Sequence, residues 1–277
     1  FIGFLLVFFA VIFGLVIGSF LNVVIYRLPR NKSIILPRSS CVNCKNKLEV
    51  FDLIPFFSWL ILKGRCRFCE DVISIRYPLI EVLCSVLFVL CLFASPSSFD
   101  LGNRYLVFIS GWLLVSFLIP LSFIDIDFLW LPRSLTLSAI FCGLTLNLIS
   151  VIYSYESPNY SYAIDSFYAS IFGFLSFRIF SFLIEKLIKR PGLGQGDAYM
   201  AAMAGSYLGI KGLEITVVLS VLISGTSSIF FLMRGLIKRG EYIPFGPFIA
   251  LSIVLVWLLG NEYWLMKLGN ILWWRYL

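Results

Sequence analysis

The chain has 277 residues, of which 60% are hydrophobic and 13% charged, and its formal net charge is +7. Because an ordinary soluble domain is only about 45–50% apolar and about 25% charged, this composition predicts a membrane protein. The chain has no histidine, which excludes a Ser-His-Asp triad, a Cys-His pair and an HExxH zinc protease. Acid–base chemistry would have to come from Asp, Glu, Lys, Tyr or Cys.

The first apolar run, residues 1–26, carries no charged side chain. About 20 residues are enough for a helix to cross the hydrocarbon core, so residues 1–28 are predicted to form a first transmembrane helix. The polar segment 29–76 is predicted to be the only sizeable domain outside the membrane. Residues 77–277 are predicted to form a seven-helix membrane core.

Four cysteines in the polar segment follow the pattern Cys-x2-Cys, a gap of 21 residues, then Cys-x2-Cys. This spacing is typical of a tetrathiolate zinc site, and the predicted ligands are Cys41, Cys44, Cys66 and Cys69. Two disulfides are the alternative, but a cytoplasmic loop is a reducing environment. Since four protein ligands leave no open position on the metal, the zinc would be structural.

The same region is basic, with ten Lys or Arg residues from Arg27 to Arg76. A basic zinc-binding module can bind nucleic acid, but basic residues beside a membrane more often set its orientation or contact anionic lipid. Membrane lipid is therefore the predicted partner of this surface, and no nucleic acid is expected.

Seven further apolar runs follow, which makes about eight predicted transmembrane helices in all. The predicted fold class is an all-α polytopic membrane protein with a small zinc-binding cytoplasmic domain between the first two helices. The sixth span has only thirteen residues, about 20 Å of helix, and needs flanking residues to cross the core. The seven runs are 82–99, 105–124, 134–155, 166–184, 198–210, 215–233 and 242–261.

The basic residues also predict the orientation. If the cysteine-bearing segment is cytoplasmic, eight alternating spans leave seventeen Lys or Arg residues inside, four outside and Arg178 within a span. This bias agrees with the positive-inside rule, and the opposite orientation would invert it.

Three aspartates fall at the cytoplasmic ends of predicted spans. Asp125 and Asp127 end the third span, and Asp197 starts the sixth, 72 residues after Asp125. Ionisable residues near lipid are usually paired or functional, and two neighbouring carboxyl groups can share a proton so that one activates a water. The pattern predicts aspartic proteolysis. Residues two apart on a helix face different directions, and the pattern leaves open whether Asp125 or Asp127 meets Asp197.

Glycines alternate with other residues just before Asp197, at Gly192, Gly194 and Gly196. Glycine lets another chain approach closely, as an extended peptide substrate would require. The alternative is a flexible turn into a helix that has Asp197 as its N-cap.

The segment Gly-Gln-Gly-Asp at 194–197 resembles the GxGD motif of the intramembrane aspartic proteases. Three other segments resemble, in the right order, motifs of the bacterial prepilin peptidases in that group. They are GSFLNVVIYRLP at 18–29, RYPLIE at 76–81 and IPFGP at 243–247. The cysteine loop also lies where theirs does, so the resemblance runs from about residue 14 to residue 250.

This resemblance implies a bacterial inner-membrane enzyme that cleaves the leader peptide of type IV prepilins and pseudopilins on the cytoplasmic side. It implies Asp125 and Asp197 as the catalytic pair. It also implies methylation of the new N-terminal amine with S-adenosylmethionine, although no motif locates that site. The residues expected to support the site are Gly194, Gly196, Asp127, Asn22 and Glu81.

Two positions depart from the family's pattern. Arg133 stands where members commonly have Asp, and Tyr199 where they commonly have Lys. Neither is part of the catalytic pair, so the departures bear on substrate preference more than on chemistry. The alternatives are a membrane transporter, which would need polar residues facing each other at mid-membrane, and a non-catalytic pilus-assembly scaffold.

Overall fold

The structure is a computed structural model that describes residues 2–94, 104–152, 160–188, 194–238 and 241–272. Within those ranges every regular element is helical apart from two isolated β-bridges, which confirms the all-α class. Two 3₁₀ turns, Leu28–Arg30 and Phe51–Leu53, lie in or beside the polar segment. The helices are α1 (Ile2–Arg27), α2 (Phe57–Ile61), α3 (Arg76–Phe93), α4 (Arg104–Phe128), α5 (Arg133–Ile152), α6 (Ser161–Ile188), α7 (Gln195–Met233), α8 (Gly246–Leu259) and α9 (Asn261–Leu272).

Six helices in the described part of the chain are long and apolar enough to cross a membrane, namely α1 and α3 to α7. Helices α8 and α9 meet at 103° and add a seventh span if the bent pair counts as one. The predicted sixth and seventh spans, 198–210 and 215–233, both lie within α7. The span ends predicted at residues 99 and 155 lie outside the described residues.

Helix α7 has 39 residues, about 58 Å at ~1.5 Å per residue, which is roughly twice the ~30 Å hydrocarbon core. It is interrupted at Gly209, whose φ of 70° and ψ of −174° are not helical. The N–H of Ile210 donates a 3.1 Å hydrogen bond to the carboxylate of Asp165 on α6. The amide of Asn147 donates to the Ser206 carbonyl at 2.8 Å. These side chains satisfy backbone groups that lipid could not.

The chain divides into two compact units, residues 1–92 and 93–277. In the first unit α1 packs against α3 through Gly14 and Gly18, which lie on one face of α1. A Cβ at Gly18 would stand 2.6 Å from the Cα of Glu81, so the two backbones approach more closely than a side chain permits. Small residues commonly allow such approaches between membrane helices. The packing fixes the start of α3 beside the C-terminal half of α1.

In the second unit α7 is the central helix and packs against α5, α6 and α8. Its buried face includes Met200, Met203 and Tyr207, and α8 contributes Ile253 and Trp257 to the same core. Helix α4 packs against α5 and α8. This arrangement gathers the end of α4 and the starts of α7 and α8, and two buried aspartates lie there.

Candidate active site and metal centre

Asp125 lies in the last turn of α4 and is only 6% exposed. The helix ends at Phe128, and the next residue, Leu129, has a left-handed φ of 49°. The backbone N–H of Gly246, the first residue of α8, donates a 2.9 Å hydrogen bond to Asp125 Oδ2. A Cβ at Gly246 would stand 2.7 Å from that oxygen. The hydrogen bond therefore depends on glycine at this position.

Asp197 lies in the first turn of α7 and is 7% exposed. The helix starts at Gln195 and its N-cap is Gly194, so the interpretation of Asp197 itself as the N-cap is wrong. Instead its carboxylate reaches back and accepts a 3.0 Å hydrogen bond from the N–H of Gly194, as an acidic residue at the third helical position can. An acid in the first turn also interacts favourably with the helix dipole.

The two carboxylates are near enough for their charges to interact. The start of α7 packs closely against the segment that follows α4. A Cβ at Gly196 would lie only 2.5 Å from the Cβ of Leu131, three residues past the end of α4. Two neighbouring buried carboxyl groups can share one proton and activate a water between them. Of the three glycines noted in the sequence, Gly194 and Gly196 lie at the start of α7, while Gly192 lies outside the described residues.

Asp127 differs from Asp125 in its surroundings. It lies two residues further along α4 and is exposed, whereas Asp125 is buried. Residues two apart on a helix point in different directions, and Asp125 is the one that accepts the hydrogen bond from the start of α8. Of the two acids, Asp125 is the buried one whose charge interacts with that of Asp197, and its catalytic role stays a prediction.

The two unusual positions lie beside this pair. The guanidinium of Arg133, at the start of α5, donates a 2.8 Å hydrogen bond to the side chain of Gln195. It also stands 6.0 Å from the centre of the Tyr199 ring, which in turn packs at 5.0 Å against Phe174. Arg133 and Tyr199 therefore contact each other, and the two departures form one local arrangement.

Asn22 and Glu81, the other expected supporting residues, belong to the first unit. The side-chain amide of Asn22 donates a 3.1 Å hydrogen bond to the carbonyl of Tyr77. Glu81 Oε2 accepts a 2.7 Å hydrogen bond from the N–H of Phe56 in the polar segment. Both side chains are buried. They link α1, α3 and the polar segment within that unit.

The four predicted metal ligands come together in the polar segment. Each Cys-x2-Cys pair lies in the same kind of turn, closed by a hydrogen bond to the first cysteine's carbonyl, from Lys45 in one turn and Glu70 in the other. The ligand atoms of Cys41, Cys44, Cys66 and Cys69 lie within 4.8 Å of one another. All four are free thiols, so the disulfide alternative is not what the structure contains.

The spacing of the sulfurs fits a metal. Cys41 Sγ and Cys69 Sγ are 3.8 Å apart, and ~3.8 Å is also the separation expected between ligands of a tetrahedral centre with Zn–S bonds of ~2.3 Å. A zinc ion would thus fit this cluster with little rearrangement, held by four thiolates and without an open position for chemistry.

The thiols do not ionise equally. A hydrogen bond from the backbone N–H of Cys44 lowers the pKa of Cys41 to about 7. The pKa of Cys69 is raised to about 12, because a lowering backbone hydrogen bond from Asp71 is outweighed by desolvation and by the neighbouring sulfurs. Four adjacent thiolates would need a cation to neutralise them, and a bound metal ion would supply that charge.

Gly246 was not among the residues expected at the site, although it contacts one of the carboxylates directly. Its hydrogen bond to Asp125 spans 121 positions in sequence, and no local pattern reveals a pairing of that range. The signal that could have found it is the Pro-Phe-Gly-Pro segment at 244–247, where a glycine flanked by prolines starts a helix.

Comparison with known proteins gives two family matches. Residues 12–95 match the model of the bacterial peptidase A24 N-terminal domain, and residues 112–233 match that of the type IV leader peptidase family. The first match includes the cysteine cluster, and the second includes both buried aspartates. No solved structure matches the chain.

Curated proteins similar to the chain have consistent names. A prepilin leader peptidase/N-methyltransferase from Neisseria gonorrhoeae is 32% identical, over 92% of this chain and 91% of its own length. One from Myxococcus xanthus is 39% identical over 72% of this chain, a match that spans only 55% of that relative. An Escherichia coli type 4 prepilin-like proteins leader peptide-processing enzyme is 34% identical, covering 88% of this chain and 90% of the relative.

Proposed function

Because this chain belongs to the type IV leader peptidase family, we propose that it cleaves the leader peptides of type IV prepilins and pseudopilins by aspartic proteolysis. The observation that carries the proposal is the pair of buried carboxylates, Asp125 at the end of α4 and Asp197 at the start of α7, whose charges interact. Aspartic proteolysis also suits a chain without histidine.

In the proposed reaction, one carboxylate of the pair takes a proton from a water molecule, and the water oxygen attacks the scissile carbonyl carbon. The other carboxyl group donates its proton to the carbonyl oxygen. The C–N bond then breaks as the leaving amine takes up the proton that the first carboxylate accepted from water, and a hydroxyl of the tetrahedral intermediate returns its proton to the second carboxylate. The N–H groups of Gly246 and Gly194 each hold one carboxylate oxygen, which orients both acids for this exchange.

The supporting residues have distinct proposed roles. Gly194 and Gly196 keep bulky side chains away from the approach to Asp197, so that an extended peptide can lie beside it. Asp127 is an exposed acid near the site, where it would meet the basic part of a leader before cleavage. Asn22 and Glu81 support the first unit rather than the cleavage reaction.

The membrane arrangement proposed for this enzyme has eight passes in the bacterial inner membrane. Helix α7 is long enough for two passes, and its break at Gly209 is near the end of the predicted sixth span. Eight passes put both aspartates and the cysteine cluster on the cytoplasmic side, as the distribution of basic residues favours. Residues 29–76 then form the cytoplasmic zinc-binding domain and 77–277 the protease core.

We also propose two further components of the enzyme. Cys41, Cys44, Cys66 and Cys69 hold a structural zinc ion, which the spacing of their sulfurs supports. After cleavage, the new N-terminal amine of the pilin is methylated with S-adenosylmethionine, as the names of the similar proteins suggest. Membrane lipid surrounds the apolar helices, and the pilin enters as a helix in that lipid.

The experiment that tests this function is cleavage of a synthetic prepilin leader peptide by the purified protein, with the products identified by mass spectrometry. Hydrolysis of one peptide bond at the leader boundary is expected. A transporter or an assembly scaffold would leave the peptide intact, so a peptide that stays uncut under conditions where a known prepilin peptidase cuts it would reject the proposal.

A further inference from the structure

An exposed arginine is held beside the first turns of α7, where Asp197 lies. The guanidinium of Arg133, at the start of α5, donates a 2.8 Å hydrogen bond to the side chain of Gln195 and stands 6.0 Å from the centre of the Tyr199 ring. Gln195 and Tyr199 are four residues apart and therefore lie on one face of α7. Arg133 is thus fixed on that face, two residues in sequence from the buried carboxylate of Asp197.

A second arginine lies level with the same turns, on α6. A Cβ at Gly173 would stand 2.8 Å from the carbonyl oxygen of Ala201. Eight residues earlier on α6, Asp165 reaches the break in α7, which comes eight residues after Ala201. The two helices are therefore antiparallel with an even register. Five residues past Gly173, Arg178 comes level with Gly196.

Arg178 also lies on the side of α6 that faces Tyr199. Residues four apart on a helix are neighbours on one face, so Arg178 is one turn from Phe174, whose ring packs 5.0 Å from the Tyr199 ring. The Arg178 side chain is exposed, although the apolar run 166–184 that contains it is predicted to span the membrane. Two exposed cations thus flank the start of α7, one on α5 and one on α6.

The charges of both arginines are unmatched within the described part of the chain. Neither Arg133 nor Arg178 forms an ion pair with an acid among the described residues. Ionisable side chains in or beside the hydrocarbon core are costly, and they are usually paired or belong to a substrate path. A guanidinium is always charged, and its forked N–H groups match the two oxygens of a carboxylate. The two arginines are therefore suited to an anionic group that arrives from outside the chain.

We propose that Arg133, with Arg178 as the second cation of the same site, selects substrates by binding an acidic side chain close to the scissile bond. The inference rests on the proposed peptidase function and adds a residue that determines which substrates are preferred. Arg133 would repel the basic part of a leader, which lies at Asp127 in the proposed function. The acidic side chain therefore belongs to a part of the substrate outside that basic segment.

An anionic lipid headgroup is the other anion that arginines at a membrane edge can bind. The hydrogen bond to Gln195 favours the peptide, because it holds Arg133 beside the turn that carries Asp197. A substrate chain has to pass this turn to be cut, and a lipid headgroup bound there would obstruct it. The two occupants respond differently to a change in the peptide, which the test uses.

The test compares leader peptides that carry either Glu or Gln at successive positions on each side of the scissile bond. Their binding to full-length Asp197→Asn protein in detergent is measured by fluorescence anisotropy, since this background keeps the shape of the site and should leave the peptide uncut. At one position or more, the Glu peptide is expected to bind about fivefold more tightly than the Gln peptide, the upper end for an exposed ion pair. Adding Arg133→Gln should abolish this ratio of affinities, and adding Arg178→Gln should reduce it.

Arg104→Gln is the matched control in the same background. Arg104 is an exposed arginine at the start of α4, and about 30 Å of helix, at ~1.5 Å per residue, separates it from Asp125. The ratio of affinities should be unchanged in this variant. Charge reversal gives a sharper result, because Arg133→Glu should bind a Lys peptide more tightly than the Glu peptide, and a loss of structure cannot produce that reversal.

Zinc content and elution volume establish that each variant is folded. The inference is wrong if Glu and Gln peptides bind equally at every position, or if folded Arg133→Gln protein keeps the full ratio. It is also wrong if added phosphatidylglycerol changes the binding of all peptides alike in an Arg133-dependent way, while Glu and Gln peptides do not differ. Cleavage by wild type is a separate measurement, so failure of the peptidase proposal is distinguishable from failure of this one.

Discussion

At the scale of single residues, each carboxylate of the candidate site accepts a hydrogen bond from a glycine N–H. Gly246 binds Asp125 and Gly194 binds Asp197, each through one carboxylate oxygen. The donors of these two hydrogen bonds are backbone N–H groups, which, unlike side chains, have no alternative rotamers. The space is tightest at Gly246, where an added Cβ would stand 2.7 Å from Asp125 Oδ2, against 3.3 Å from Asp197 Oδ2 at Gly194.

Gly246→Ala tests this dependence. The new Cβ would stand 2.7 Å from Asp125 Oδ2, so the carboxylate must move, and a displacement of ~1 Å at a catalytic group can cost about 100-fold in rate. Leader cleavage by the variant should fall by about that factor. Gly225→Ala is the matched control, because no atom lies within 4 Å of its added Cβ. Equal rates for the two variants would contradict the role given to Gly246.

The choice between Asp125 and Asp127 is also tested at this scale. Asp127→Asn alters an exposed acid and should cost less than about tenfold in cleavage rate. Asp125→Asn should cost at least about 100-fold, in line with loss of a general acid or base. The comparison is made on protein purified to equal zinc content, and the reverse order of effects would transfer the catalytic role to Asp127.

The sequence could predict the two acids because each lies in a recognisable segment at a helix end. It could not choose between Asp125 and Asp127 from the residues alone, since that choice depends on which way the last turn of α4 faces. It also could not identify Gly246, because the contact joins residues 121 positions apart.

At the scale of helices, the break in α7 is the feature that the hydropathy pattern predicts least accurately. Two apolar runs predicted two spans separated by a short linker, whereas the structure has helix on both sides of one residue, Gly209. The break exists because side chains from other helices, Asp165 and Asn147, bind the backbone around it. Those contacts join residues that are far apart in sequence, so the apolar sequence of α7 alone does not reveal them.

Gly209→Ala should therefore destabilise the protein. Its φ of 70° is unfavourable for alanine, and the added Cβ would collide with the Asp165 carboxylate. A loss of about 1–3 kcal/mol is expected from the backbone strain alone. Thermal unfolding in detergent measures it, with Gly225→Ala in the same helix as the control. A melting temperature equal to that of wild type would show that the break is not needed.

At the scale of the whole molecule, the two compact units have different chemistry. The first holds the four-cysteine cluster and a cavity that Glu81 helps to line. The second holds the aspartate pair. Composition predicted the membrane class and Cys-x2-Cys spacing predicted the cluster, because both are local properties of sequence. The cavity could not be predicted, because its walls come from three separate segments of the chain.

The proposed zinc site can be tested by metal analysis of the whole protein. Purified protein should contain one zinc ion per chain, and Cys44→Ser or Cys66→Ser should lower the zinc content, since each removes one of four ligands. A chelator strong enough to remove the metal should also lower the thermal stability, because binding energy at a structural site contributes to folding. Cys142→Ser, at a cysteine of α5 that is not one of the four clustered thiols, should retain full zinc. Metal analysis that finds no zinc in active wild-type protein would contradict the assignment.

The central claim concerns the aspartate pair, and the most direct test is leader-peptide cleavage by Asp125→Asn and Asp197→Asn proteins beside wild type. Each variant keeps the shape of the side chain and removes its acid–base function. Both variants are expected to insert into the membrane, retain zinc, and lose at least about 100-fold in cleavage rate. A folded Asp197→Asn protein that cuts the leader as fast as wild type would contradict it.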